Sequence, residues 1–304
     1  MVVEITRPGK TSLLLSTPVM PAAGTVGFGD NYHRLVDYEK LGAIITNPVT
    51  IERWNPASGT RLVPLPGGIL VHTGLPNPGL KRVIQQNRRV WGRLPIPVVL
   101  HLAGTSAPHM KQAGEMIDGL DVIAGIELGL NDDIDEGEAF ALVSAAAAIE
   151  KPLLVRLPFY EAGHLAPAVL DAGADALVVS AAPRGTAREE HTGRLVSGRI
   201  YGPLVKPLVL RIVGRLRRQV PEEVPIIGAG GIHSPLDARD YIEAGAVAVQ
   251  VDTATWAQPK MLERIARDLG GWIATRRKDA LMDEWHPDMG QTEAAQRGAA
   301  QSGG

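Results

Sequence analysis

The residue types best suited to chemistry in this chain cluster between Val224 and Trp256. Val224–Gly228 is a short apolar run leading into Gly228-Ala229-Gly230-Gly231, a turn where missing side chains let backbone N–H groups approach an anion such as a phosphate. Ala246–Val251 is a second apolar run, and it ends in Asp252-Thr253. Glycines after strands also serve purely as tight turns, and that reading stays open. Asp132 and Asp133 lie in the acidic run LNDDIDEGE. Such carboxylates act as general bases where burial raises their pKa, and a solvated acidic loop accounts for them equally well. His101 ends another apolar run, which makes it either a proton-handling group or a satisfied core histidine. His72, His191 and His233 show no metal-like spacing, so no metal site is expected. Arg184, Arg188, Arg194 and Arg199 share one stretch, where they could bind an anionic substrate or a partner or stay solvated.

The elements that must position these groups follow from local signals. Ser234 is a good N-cap, Pro235 suits the first helical position, Asp237 completes a capping box and Gly245 ends the helix. A strand, a Gly-rich turn, a helix and a parallel strand make a βαβ unit, and the last two such units of a (β/α)8 barrel often hold a phosphate. Eight strand candidates recur: Pro18–Ala22, Ala43–Thr46, Ile96–Leu102, Val122–Leu128, Pro152–Leu157, Ala174–Ser180, Val224–Gly228 and Ala246–Val251. Between and after them, helices are expected from Tyr32–Lys40, along Leu80–Leu94 as a basic, exposed element, and at Ala107–Ile117, Ala139–Ile149, Glu161–Ala172, Pro203–Gln219 and Pro259–Arg277. This alternation predicts an α/β fold, a (β/α)8 barrel. Val2–Ile5 and Ser12–Leu15 flank the turn sequence RPGK and predict an N-terminal β-hairpin across the barrel's bottom. Two long connections remain, Asn47–Pro78 and Ala181–Gly202, and excursions of this length are commonly functional. One barrel domain is expected over 1–282, followed by a polar, flexible tail over 283–304.

Composition narrows the partners. The 304 residues carry a formal net charge of −2, with 45% hydrophobic and 21% charged residues, which leaves no electrostatic footprint for nucleic acid. There is no cysteine, hence no thiolate nucleophile, disulfide or Cys-ligated metal within the chain. The first residues lack an apolar signal core and no apolar run reaches membrane-spanning length, so a cytoplasmic location without membrane contact is expected.

Several stretches together resemble the dihydroorotate dehydrogenase family, especially its soluble class: TPVMPAAGTVGFGDNY, LGAIIT, GLPNPG, YGPLVKPLVLRIV, and VPIIGAGGI followed by AGA and VQV. The resemblance spans roughly residues 14–256 and implies an FMN-dependent oxidoreductase of CH–CH bonds, a barrel, a homodimer and a small-molecule substrate. The cofactor-binding positions it carries over are Ala22, Ala23, Gly24, Asn47, His101, Arg156, Gly202, Gly230, Gly231, Asp252 and Thr253. The FMN phosphate would rest on the turns Gly230-Gly231 and Asp252-Thr253, and in the second of these Asp252 replaces the family's glycine. Around the ring, Ala23 stands for a serine, Asn47 for a lysine and His101 for an asparagine, while Arg156 keeps the cation that supports the reduced flavin.

On the substrate side the carried-over positions are Val71, Gly74, Leu75, Gly129 and Ala181. Val71, Gly129 and Ala181 replace orotate-binding asparagines, Tyr201 replaces a serine, and the Cys or Ser base aligns with Asp132. Dihydroorotate is therefore not the expected substrate. The same departures leave open a flavin-free, non-catalytic barrel kept for scaffolding or regulation beside a second subunit. A third reading is a barrel binding another phosphorylated metabolite through the intact Gly230-Gly231 turn.

Overall fold

A computed structural model describes residues 2–9, 12–29, 32–104 and 106–275. The expected tail over 283–304 lies outside them. The chain starts with a short antiparallel hairpin, β1 (Val3–Glu4) and β2 (Leu14–Leu15). Strand β3 (Val19–Pro21) opens the barrel and β4 (Ile44–Ile45) follows. A second hairpin, β5 (Leu62–Leu65) and β6 (Gly68–Val71), precedes helix α1 (Leu80–Trp91). Regular alternation then runs through β7 (Val98–Leu102), α2 (Ala107–Ile117), β8 (Gly125–Gly129), α3 (Glu136–Ala147), β9 (Leu153–Arg156), α4 (Ala162–Asp171) and β10 (Ala176–Val179). A two-stranded ribbon, β11 (Arg184–Arg188) and β12 (Leu195–Tyr201), interrupts it before α5 (Lys206–Gln219). The chain finishes with β13 (Ile226–Ala229), α6 (Pro235–Glu243), β14 (Ala248–Val251), the short α7 (Thr253–Ala257) and α8 (Lys260–Thr275).

Eight strands form one parallel sheet in the order β3-β14-β13-β10-β9-β8-β7-β4. At the seam the Gly42 N–H donates to the Val19 carbonyl at 2.9 Å, bringing β3 beside β4 and nearly closing the barrel. A Cβ at Gly42 would sit 2.3 Å from the Thr17 carbonyl oxygen, so this approach is open only to glycine. The fold is the (β/α)8 barrel with an N-terminal hairpin that the alternation predicts.

Side chains of alternating strand positions fill the interior in layers. The lower layers are apolar: Met20, Ile45, Val99, Leu154, Val178, Ile227 and Ala248 pack with Ile5, Leu13 and Leu15 of the hairpin region, which plugs the bottom as expected. The upper layer is polar, and it forms the floor of the mouth described below.

Several local expectations need correcting. Between β3 and β4 the described residues make a 3-10 turn, Tyr38–Lys40, in place of a helix beginning at Tyr32. Its cap is Asp37, whose side chain accepts from Glu39 N–H. Helix α1 is not simply exposed: Leu80, Val83, Ile84, Asn87 and Trp91 form a buried stripe, and the basic residues occupy the other side. The two long connections are not loops, because β5 and β6 from the first pair with β11 and β12 from the second in a four-stranded antiparallel sheet, order β11-β12-β6-β5. The capping box, by contrast, is as read. Ser234 Oγ accepts from Asp237 N–H at 3.1 Å and donates to the Asp237 carboxylate at 2.8 Å.

Candidate functional site at the barrel mouth

The C-terminal ends of the strands surround a cavity of about 310 Å³ that opens into an outer one of about 750 Å³, sizes suited to small-molecule ligands. Of the positions singled out from sequence, Ala22, Ala23, Gly24, Asn47, His101 and Arg156 line the inner cavity. So do Val71, Leu75, Gly129, Ala181, Gly230 and Asp252. Gly74 and Asp132 line the outer cavity. Gly202, Gly231 and Thr253 line neither and stand behind the wall, where a Cβ on Gly231 would meet the Gly202 carbonyl oxygen at 2.9 Å. Tyr201 and Trp256 add an aromatic wall, with ring centroids 6.0 Å apart.

The floor is a charged cluster that sequence reasoning did not find. Glu127 of β8 is fully buried, at 0% exposure. Its Oε1 meets His101 Nδ1 at 2.8 Å and accepts from Arg156 Nε at 2.8 Å, while Oε2 accepts from the Gln250 amide. Arg156 also donates to the Ser180 carbonyl at 3.1 Å and to Gln250 Oε1. Four strands thus each contribute one polar side chain to a buried layer in which every member has a partner. Burial pushes the Glu127 carboxyl upward, yet Arg156, then His101 and Gln250, outweigh it and hold the pKa at about 2. The available signal was the charge itself: a glutamate between Ile126 and Leu128, in a strand otherwise buried on both faces, must have a partner.

His101 is oriented by this cluster. With Nδ1 on the Glu127 carboxylate and its backbone N–H on Thr46 Oγ1 at 3.0 Å, the ring turns Nε2 toward Gly129. A Cβ at Gly129 would lie 2.9 Å from Nε2 and 3.2 Å from Cε1, so His101 fills the space a side chain at 129 would need. Gly129→Asn is therefore expected to lower stability by about 1–3 kcal/mol through overpacking. Adding His101→Asn should recover a substantial part of that loss. Thermal unfolding of the single and double variants checks the coupling, and strict additivity of the two changes would show that the positions are independent.

Asp132 has a different environment from the one a free base needs. Arg184 Nε donates to Oδ2 at 2.5 Å, and Arg199 forks onto Oδ1 at 3.0 Å and Oδ2 at 2.9 Å. Both carboxylate oxygens are occupied by guanidinium donors, and Asp132 ties the loop after β8 to the β11–β12 ribbon. Arg184 and Arg199 face each other across that ribbon.

At the far side of the mouth lie the two turns suited to an anion. Gly231 has φ +65°, and a Cβ there would come 2.5 Å from Lys206 N, so only glycine fits. Asp252 is the N-cap of α7: its carboxylate accepts from Thr253 N–H and from Thr253 Oγ1 at 3.0 Å, and the Gly231 backbone favours its ionised form. His233 Nε2 meets Thr253 Oγ1 at 3.1 Å. Asp252 is only 6% exposed, and burial raises its carboxyl pKa against the lowering effect of these hydrogen bonds. Among the described residues no cluster of His, Cys, Asp and Glu could hold a metal ion, and no helix is long and apolar enough to cross a membrane.

Residues 10–273 match the family model of dihydroorotate dehydrogenase. The chain belongs to the dihydroorotate dehydrogenase family. Its relatives include the protein named dihydroorotate dehydrogenase B (NAD(+)), catalytic subunit, of Trichlorobacter lovleyi, 34% identical over 285 residues that cover 87% of this chain and 92% of the relative. The protein of the same name from Pelobacter propionicus is 34% identical over 279 residues, 86% of this chain and 91% of the relative. As a member of this family, the chain is related to oxidoreductases.

Proposed function

We propose that this member of the dihydroorotate dehydrogenase family is a flavin-dependent oxidoreductase acting on a C–H substrate other than dihydroorotate. The observation that carries the reading is the buried Arg156 cluster beneath a cavity of suitable size at the strands' C-terminal ends. The flavin that the resemblance implies was FMN, and its two ends fare differently here. At the ring end the residues fit. Asn47 lines the cavity with a buried Oδ1 that has no partner, and the small Ala22, Ala23 and Gly24 leave room for a flat ligand. At the phosphate end they do not fit, because the Asp252 carboxylate already takes the Thr253 N–H of the second anion turn. When bound, a flavin supplies a two-electron acceptor; the chain's own residues bind, orient and move protons.

In this reading Arg156 would supply the bound flavin with a fixed cation, held by Glu127 so that it needs no reorganisation when negative charge develops. His101, oriented through Nδ1, is the group that accepts or returns a proton at Nε2. Asp132 anchors the ribbon through Arg184 and Arg199. Val71, Leu75 and Ala181 give a substrate pocket less polar than one built on asparagines, and Arg199 supplies a cation at its rim.

The second reading, a flavin-free barrel serving as scaffold or regulator, is favoured by the Asp252 carboxylate in the anion turn. A second subunit as partner is part of either reading, since the relatives are named as catalytic subunits. A pairing of two copies and a cytoplasmic location remain part of the proposal. The test is the absorption spectrum of the purified protein and a flavin titration followed by fluorescence quenching. Saturable binding of a flavin at micromolar concentration is the expected result; no binding of any flavin would favour the scaffold.

A further inference from the structure

The Asp252 turn is more than a poor phosphate site, because its carboxylate stands where a phosphate oxygen would stand. It accepts from the Thr253 N–H and the Thr253 hydroxyl of its own turn, and the Gly231 backbone of the neighbouring turn favours its ionised form. His233 closes the group by meeting the same Thr253 hydroxyl. The Thr253 N–H and hydroxyl that an anion would recruit from the second turn are already turned onto a side chain of this chain, at a position 6% exposed. A fixed, buried anion that satisfies the donors is the electrostatic equivalent of a bound terminal phosphate.

We propose that Asp252 is a built-in substitute for the ligand's phosphate, so that the mouth takes an unphosphorylated isoalloxazine of the riboflavin type and discriminates against FMN. The inference rests on the flavin reading given above. A second dianion brought to Gly231 and Thr253 would have to displace the carboxylate from its donors and lie within a few Å of it. The like-charge repulsion at that distance corresponds to a penalty of roughly several-fold to several hundred-fold in affinity, depending on how much water screens the pair.

The experiment titrates riboflavin and FMN against the unmodified protein, Asp252→Asn and Asp252→Gly at low salt, with fluorescence quenching as the readout. Asp252→Asn keeps the helix cap and removes the charge, so it guards against loss of folding in Asp252→Gly. The expected result is tighter binding of riboflavin than of FMN by the unmodified protein. In Asp252→Gly FMN should tighten by roughly several-fold to several hundred-fold, and less in Asp252→Asn, with riboflavin nearly unchanged in both. FMN binding to the unmodified protein as tightly as riboflavin overturns the inference and leaves the flavin reading standing. FMN binding only after Asp252→Gly, with no riboflavin bound by any form, overturns the assignment of an unphosphorylated ligand. Failure of both flavins with all three proteins overturns the inference and the proposed function together.

Discussion

Glu127→Ala is expected to lower the unfolding free energy by about 3–5 kcal/mol, the effect of breaking a buried ion pair and leaving one charge without its partner. Three side chains lose their acceptor at once: Arg156, His101 and the Gln250 amide all donate to or meet this carboxylate. The pH dependence provides an independent check. The Glu127 pKa falls from the ordinary 4.5 to about 2 in the folded protein, so the folded state favours the ionised form. Its contribution is fully present above about pH 4.5 and is lost as pH falls toward 2. The shift corresponds to an order-of-magnitude contribution of about 3 kcal/mol. Urea unfolding of both proteins at neutral pH and at steps down to pH 2 should show the two curves converging as acid removes what the mutation removes. Equal stabilities at neutral pH would mean that the cluster is not organised around this carboxylate. A double replacement, Glu127→Leu with Arg156→Met, should be much less damaging than Glu127→Ala, since a buried pair exchanged for apolar groups of similar volume is commonly neutral.

Dihydroorotate is expected to be oxidised at least about a thousand-fold more slowly than by an enzyme that meets its amide groups with asparagines, because unpaired polar groups in a desolvated site weigh heavily on the transition state. The positions concerned line the inner cavity as Val71, Gly129 and Ala181, and none offers a side-chain hydrogen bond. Restoring one asparagine alone should not rescue turnover, since His101 occupies the space beside Gly129. Steady-state turnover with flavin supplied is the measurement, and robust oxidation of dihydroorotate would mean that the mouth recognises its substrate through other groups.

What could be read from the sequence was local. Ser234, Pro235 and Asp237 announce a helix start because the capping hydrogen bonds join residues three apart. The eight apolar runs announce a barrel because each is followed closely by its own turn and helical pattern or by a long connection. The Glu127 cluster was hidden because the partners of Glu127 lie 26 to 123 residues from it, as the His101–Glu127 and Gln250–Glu127 contacts record. A single-strand pattern carries no information about which neighbour supplies the counter-charge. The four-stranded sheet over the mouth was hidden for the same reason. RGTAR and LVSGRIY alternate polar and small residues, and they become strands only by pairing with each other and with Gly68–Val71. In α1 the spacing of Leu80, Val83, Ile84, Asn87 and Trp91 marks a buried stripe, while the basic residues between them carry the pattern of a solvated helix.

That four-stranded sheet joins two stretches of chain on opposite sides of the barrel, and glycines stand where the backbones of its central junction come closest. A Cβ at Gly198 would fall 2.5 Å from the Val71 carbonyl oxygen, one at Gly68 2.3 Å from that of Tyr201, and one at Gly202 2.5 Å from that of Gly67. Main chain lies directly on main chain there, while the paired Leu70 and Ile200 turn apolar side chains inward beside it, Leu70 fully buried. The sheet also requires the chain to bring residues 62–71 to residues 184–201, a long loop closure that has no reward until the strands between them are in place. The roof of the mouth is thus expected to form late in folding, after the barrel strands that its two ends straddle.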